Sequence, residues 1–245
     1  VRAAGRAALL ALWLAFCLVP HLVLKMLTGH SRWPPRFLAG AAWICGARPT
    51  VCGDPVRPHS LLVCNHVSWL DIFTIAGATG CAFVSKDNLG HPLVNWLADQ
   101  NRTLYVRREH RRGAKDQAIA IAKALDGEQP VGIFPEGTVG PGDRLLPFRP
   151  TLLEAVKFAR KDIEVRPVAI DYGRHAADIS WNVESATENV LRVLGRKGTI
   201  PVTVHLLPPL QPTDDRKTLA SDAQQAIAQT LASSRASASL YAQAR

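Results

Sequence analysis

No C-x-x-C pair occurs among the five cysteines, Cys17, Cys45, Cys52, Cys64 and Cys81, and no His or Cys spacing suits a metal ion. Scattered and odd in number, they read as free, mostly buried thiols of a reducing compartment, not as a disulfide frame. Aromatic residues make up only 7% of the chain, with no stacking cluster and no nucleic-acid motif, which argues against a nucleic-acid binder. A G-x-S-x-G elbow is missing, so a serine hydrolase built on Ser68 lacks its usual strand-to-helix turn. Internal repeats and long linkers are missing too.

What is present is globular in composition. The 245 residues suffice for a sizeable core, with 47% apolar and 20% charged residues. Lys and Arg number 29 against 20 acidic residues, a formal charge of +9 that favours anionic partners: nucleic acid, anionic lipid headgroups or phosphorylated substrates.

Ala7–Leu24 carries no charge and is apolar apart from Pro20 and His21; Arg2 and Arg6 precede it and Lys25 follows. A full membrane span needs about 20 apolar residues, so this run sits at the border. Pro20 is expected to kink or end a helix there. A weaker apolar stretch, Phe37–Ala47, lies between Arg36 and Arg48, with a polar turn region at Thr28–Pro35 before it. The basic flanks favour two helices that dip into a membrane and return. A cleaved signal peptide lacks a small-x-small site close after the run, and a buried core helix is the other alternative. The expected organisation is a membrane-embedded helical hairpin within residues 1–56 and an α/β domain over residues 57–245.

Beyond Arg57 short apolar runs alternate with helical patterns. Strands are expected at Ser60–Cys64, Ala82–Ser85, Thr103–Val106, Val131–Phe134, Val165–Ile170 and Val202–Leu207. Helices are expected from Ser68 to about Ala76, from Pro92 to about Asp99, and over Ala114–Leu125, Leu152–Lys161 and Asp214–Ala232. Such alternation predicts an α/β fold, a mixed sheet flanked by helices.

Two short segments carry chemistry. The first, Asn65-His66-Val67-Ser68-Trp69-Leu70-Asp71, leaves a strand and enters a helix. A helix start brings His66 and Asp71 to the same end of the element. The carboxylate of Asp71 is favoured by the free N–H groups there and can orient His66 to take a proton from an attacking alcohol. The plainer alternative is a helix-start pattern, with Ser68 capping and Asp71 supporting it. The second segment, Val131–Thr138, runs from a strand into Pro135, Glu136, Gly137 and Thr138. Gly137 permits positive φ, and exposed N–H groups beside the Thr138 hydroxyl can hold an anion. An ordinary strand-to-loop turn with a surface Glu136 is the alternative. Between the segments lie Lys86, Arg102, Arg107, Arg108, Arg111, Arg112 and Lys115, either phosphate ligands or a solvated charge run.

Taken in order, these pieces resemble the lysophospholipid acyltransferase family, whose common bacterial members are 1-acylglycerol-3-phosphate acyltransferases. The Asn-His-x4-Asp pattern matches at Asn65, His66 and Asp71, and Phe-Pro-Glu-Gly-Thr matches in full at Phe134–Thr138. Leu104–Arg108 looks like the family's arginine-bearing strand, Phe83–Lys86 like its lysine-bearing strand, and Val165–Ile170 like its proline-bearing strand. The resemblance runs from about Ser60 to Tyr172. It implies His66 as general base and Asp71 as its partner. It implies a substrate-binding set of Asn65, Ser68, Lys86, Arg108, Glu136, Gly137 and Thr138. The implied donor is acyl-CoA or acyl–acyl carrier protein, with no metal or other cofactor. The implied acceptor is 1-acylglycerol-3-phosphate (lysophosphatidic acid), giving phosphatidic acid, or another lysolipid such as lyso-ornithine lipid. An anionic membrane surface is the implied partner, at the bacterial inner membrane with the site on the cytoplasmic side. Val139-Gly140 and Pro150 depart from the family's usual residues.

Overall fold

The computed structural model describes residues 1–86, 89–106, 113–181 and 184–243. Two helices come first, α1 (Arg2–Thr28) and α2 (Trp33–Ile44). Then follow β1 (Ala47–Cys52), β2 (Ser60–Cys64), α3 (Leu70–Thr79), β3 (Ala82–Lys86), α4 (Pro92–Gln100), β4 (Leu104–Val106), α5 (Gly113–Leu125) and β5 (Val131–Ile133). The chain ends with β6 (Glu164–Asp171), α6 (Ala176–Ile179), α7 (Ala186–Gly195), β7 (Ile200–Leu206) and α8 (Arg216–Gln243).

The strands form one seven-stranded mixed sheet in the order β1-β7-β6-β2-β5-β3-β4. Every neighbouring pair is parallel except β6 with β7. The mixed α/β sheet flanked by helices is the expected class. All five residues of β2 are buried, as suits a strand covered on both faces. Its side chains alternate between two cores. Leu62 and Cys64 join residues of α2, α3 and α7, while Leu61 and Val63 join residues of α5 and α8. In α5 the four positions spaced for one face, Ala118, Ile121, Ala122 and Leu125, are all buried.

Several boundaries differ from the sequence expectation. β1 lies before residue 57, yet it pairs with β7 from Ala47↔Ile200 to Cys52↔His205. This edge strand is mostly exposed, so its residues lack the apolar run that marks a central strand. The α1 helix does not end at Pro20 but continues to Thr28. Contacts hold it on both sides of the proline. Trp13 Nε1 donates to the Phe37 carbonyl at 3.0 Å, and Lys25 Nζ donates to Gln100 Oε1 at 2.9 Å. Leu152–Lys157 is a 3-10 helix, not a longer α-helix. Its backbone bonds reach back three residues, Leu153 N–H to Pro150 and Glu154 N–H to Thr151. Conversely, α8 continues through the Ala/Ser-rich tail, where alanine favours helix.

Small residues bring the first three helices close together. A Cβ at Gly40 on α2 would lie 2.3 Å from Trp13 Nε1 of α1, and one at Gly77 on α3 would lie 2.7 Å from Ala39 Cα of α2. The α1–α2–α3 stack therefore rests on the face of the sheet where the first motif emerges.

Candidate active site

The chemistry-bearing residues gather at the C-terminal ends of the parallel strands β2, β5 and β6, the edge where open α/β sheets bind ligands. Asn65 comes first after β2. It is buried, and its side chain clamps β6: Nδ2 donates to the Ile170 carbonyl at 3.0 Å, and Oδ1 accepts from the Ile170 N–H at 2.8 Å. Two strand ends are thereby fixed just where the chain turns into His66.

His66 and Asp71 meet. Nδ1 of His66 lies 2.8 Å from Asp71 Oδ2. The same oxygen accepts the backbone N–H groups of Val67 at 2.6 Å and Ser68 at 2.9 Å. These donors lie in the turn that leads into α3, and the two N–H groups stabilise negative charge on the carboxylate. Asp71 Oδ1 accepts the Tyr172 hydroxyl at 2.7 Å. The Asp71 side chain is 0% exposed and that of His66 is 14% exposed. A carboxylate partner at Nδ1 places the ring proton on that nitrogen and leaves Nε2 as the acceptor.

The second motif forms the other wall. The Phe134 ring stacks on the His66 ring with centroids 4.0 Å apart, and Phe83 stacks on Phe134 at 4.9 Å. Glu136 is buried, and both its oxygens accept backbone N–H groups: Oε1 from His66 at 2.7 Å and Oε2 from Leu146 at 3.0 Å. Burial pushes its carboxyl above the ordinary value of 4.5, against the pull of those two N–H groups. The Gly140 N–H donates back to the His66 carbonyl at 2.7 Å, so both backbone groups of His66 are tied to this loop. Gly137 adopts φ 76° and its N–H donates to the Phe134 carbonyl.

Ser68 is fully buried at the start of α3, with its N–H on Asp71 and its Oγ accepting weakly from Leu70 N–H at 3.4 Å. Thr138 is exposed on the loop. Lys86 closes β3, but its side chain lies outside the described residues, as does the whole of Arg108.

The Acyltransferase family pattern matches residues 48–171. The lyso-ornithine lipid O-acyltransferase of Rhodobacter capsulatus is 33% identical, over 92% of this chain and 88% of that protein. The 1-acyl-sn-glycerol-3-phosphate acyltransferase of Neisseria gonorrhoeae is 28% identical, over 71% of this chain and 70% of that one. The crystal structure of the 1-acyl-sn-glycerophosphate (LPA) acyltransferase from Thermotoga maritima shares the fold with a TM-score of 0.61 at 19% identity, covering 95% of this chain and 98% of that one. The chain belongs to the lysophospholipid acyltransferase family. The region matched to the acyltransferase pattern takes in β1 to β6, and with them His66, Asp71 and Glu136.

Sequence reasoning missed Tyr172, which stands one residue past the matched region. It also missed the ring platform of Phe83 and Phe134. A signal for Tyr172 existed. Tyr172 follows the buried strand β6, and β6 runs parallel beside β2, so their ends emerge together. The 101-residue separation from Asp71 hides that juxtaposition until the strand order is known.

Proposed function

We propose that this acyltransferase moves a fatty acyl group from a thioester donor to the hydroxyl of a lysolipid, with His66 as general base and Asp71 as the acid that orients it. The observation that carries this reading is the His66 Nδ1–Asp71 Oδ2 contact of 2.8 Å, which leaves Nε2 as the basic atom. Nε2 takes the acceptor's hydroxyl proton while the oxygen attacks the thioester carbonyl carbon. The tetrahedral adduct collapses, the C–S bond breaks, and the imidazolium returns the proton to the leaving sulfur. General-base help of this kind is worth roughly 10²–10⁴ in rate. No acyl-enzyme forms, which fits the burial of Ser68. The donor is acyl-CoA or acyl–acyl carrier protein, both acidic, in keeping with the formal charge of +9.

Lyso-ornithine lipid is the leading acceptor, supported by relatives of that name at 33% and 34% identity over 92% and 76% of the chain. Lysophosphatidic acid is the second reading, supported by the Neisseria relatives and by the basic residues Arg107, Arg108, Arg111 and Arg112 in the sequence.

The reaction takes place at a bilayer, at the cytoplasmic face of the bacterial inner membrane. α1 has 27 residues, a mean hydropathy of 2.3 over its most apolar window, and only 11% of that window buried. Arg6, near its start, donates to the Val193 and Leu194 carbonyls of α7; His21 and Lys25, near its end, meet Gln100 of α4. Both ends thus rest on the α/β body, roughly 28 Å apart at 1.5 Å per residue. A helix so held lies along the body and offers only its outer face to one leaflet.

The test is an acyl-transfer assay in bilayers with both donors, a lysolipid panel and His66→Ala alongside. His66-dependent acylation of lyso-ornithine lipid supports the leading reading. A preference for lysophosphatidic acid keeps the mechanism and changes the acceptor. Near-normal turnover by His66→Ala overturns the mechanism.

A further inference from the structure

Tyr172 is 2% exposed, and its hydroxyl is aimed at the oxygen of Asp71 that His66 does not use. Asp71 Oδ2 already takes three donors, from His66, Val67 and Ser68. Oδ1 takes the Tyr172 hydroxyl at 2.7 Å. We propose that Tyr172 is a positioning residue for the His66–Asp71 pair, holding the carboxylate in one orientation and drawing off part of its charge, so that it sets how basic His66 is. The kinetic half of this proposal rests on the acyl-transfer reading above.

The direction of the hydrogen bond follows from chemistry. A carboxylate only accepts, so the phenol donates. Burial, then the charge of Asp71 and the bond to it, push the phenol well above its ordinary value of 10, and it keeps its proton throughout the working range. Without that donor, Oδ1 would be a buried carboxylate oxygen with no partner, an expensive state that favours rotation of the group. The charge then left on Oδ2 would fall more fully on the His66 ring. A protonated ring would be better stabilised, and His66 would titrate at a higher pH.

The groups facing this pair come from each packed element. They are Glu136 after β5, Tyr172 after β6, and Cys64 within β2, whose thiol burial raises well above 9, while Arg144, Asp171 and Arg235 line the same cavity as His66. Thr74 of α3 is the other polar side chain at the phenol. Among these, only Tyr172 touches Oδ1 of Asp71 through a hydrogen bond of the described structure.

The experiment compares wild type, Tyr172→Phe, Asp71→Asn and the double variant in micelles. His66 is titrated by ring-nitrogen NMR, which needs no turnover and so stands apart from the identity of the acceptor. The expected result is a higher titration pH for His66 in Tyr172→Phe, with no such movement when Asp71→Asn is already present. With the acceptor found active for wild type, kcat falls about 10-fold and KM stays within about 2-fold, the size of one hydrogen bond to a charged group. Replacing tyrosine globally with 3-fluorotyrosine strengthens the donor without removing it and should move the His66 titration down. This second readout serves if Tyr172→Phe does not fold. An unmoved titration in the folded variant, or an equal movement in the Asp71→Asn background, overturns the proposal. A wild type inactive on every acceptor would instead count against the acyl-transfer reading and leave the NMR result to decide this one.

Discussion

Glu136 holds His66 by its backbone: its Oε1 accepts the His66 N–H at 2.7 Å while Oε2 accepts the N–H of Leu146, ten residues further along its own loop. A carboxylate engaged on both oxygens, and buried, is a strut between two loops. Glu136→Gln keeps the shape but can accept at one oxygen only, and its amide N–H then faces a second N–H. The variant should lose about 1–3 kcal/mol of stability, the cost of a buried unsatisfied donor. Because His66 sits on that strut, kcat should fall while the lysolipid KM changes little. Chemical denaturation and steady-state kinetics on the same preparation check both; unchanged stability would mean that the strut is dispensable.

The same carboxyl has a pH signature. Burial raises it above 4.5 in the folded chain. Between its ordinary value and the raised one, the folded state binds more protons than the unfolded state. Stability therefore falls as pH rises through that window and is flat above it. Wild type minus Glu136→Gln, followed by thermal melting across mildly acid pH, should isolate this slope. A difference that grows in favour of wild type as pH rises would contradict the raised value.

Asp71 and His66 should separate by their effect on folding. His66→Ala removes the base and costs roughly 10²–10⁴ in kcat. The ring keeps some solvent exposure, so the fold should survive. Asp71→Ala leaves the Val67 and Ser68 N–H groups and the Tyr172 hydroxyl without their shared acceptor in a buried site. It should cost stability as well as rate, roughly 3 kcal/mol or more. Paired melting curves and turnover numbers check this. Equal melting of the two variants would show that Asp71 serves the chemistry alone.

The sequence made local relationships legible and left distant ones hidden. His66 and Asp71 are five residues apart across a helix start, and their pairing follows from helix geometry. Strand β2 showed itself because five consecutive buried residues must be apolar or small. By contrast, β1 has little apolar character, since an edge strand buries one end only. Helix α7 was also missed. Its start is a reciprocal cap between Ser185 and Glu188, and it buries Asn189 beside Val193 and Leu194, which blurs the apolar stripe. For Glu136 the sequence left a substrate-binding residue and a surface Glu both open, because no local pattern shows that it accepts the N–H groups of His66 and Leu146.

Gly40 offers a test of helix packing with an unusual sign. Within a helix, Gly→Ala ordinarily stabilises by about 0.5–1 kcal/mol. At Gly40 the added methyl would sit 2.3 Å from Trp13 Nε1 and displace the indole that bonds Phe37. Gly40→Ala should therefore destabilise the α1–α2 pair by roughly 1–3 kcal/mol. Denaturant unfolding followed by tryptophan emission reads it, and a stabilised variant would show that the indole has another place to go.

The outer face of α1 makes the last prediction. Leu12, Val19, Met26 and Leu27 are exposed at 68%, 66%, 81% and 70%. They contribute little to folding, because most of their surface stays outside the core. If α1 lies in one leaflet, each gives on the order of 1.5 kcal/mol when lipid covers it. Replacing all four with serine should then leave the melting temperature of the micelle-bound protein nearly unchanged and weaken bilayer binding by orders of magnitude. Vesicle flotation measures the binding, and turnover on lysolipid held in the same vesicles should fall with it while the reaction on dispersed short-chain lysolipid persists. Retained flotation would place the membrane contact elsewhere, with the exposed Leu93, Val94 and Trp96 of α4 as the next residues to change.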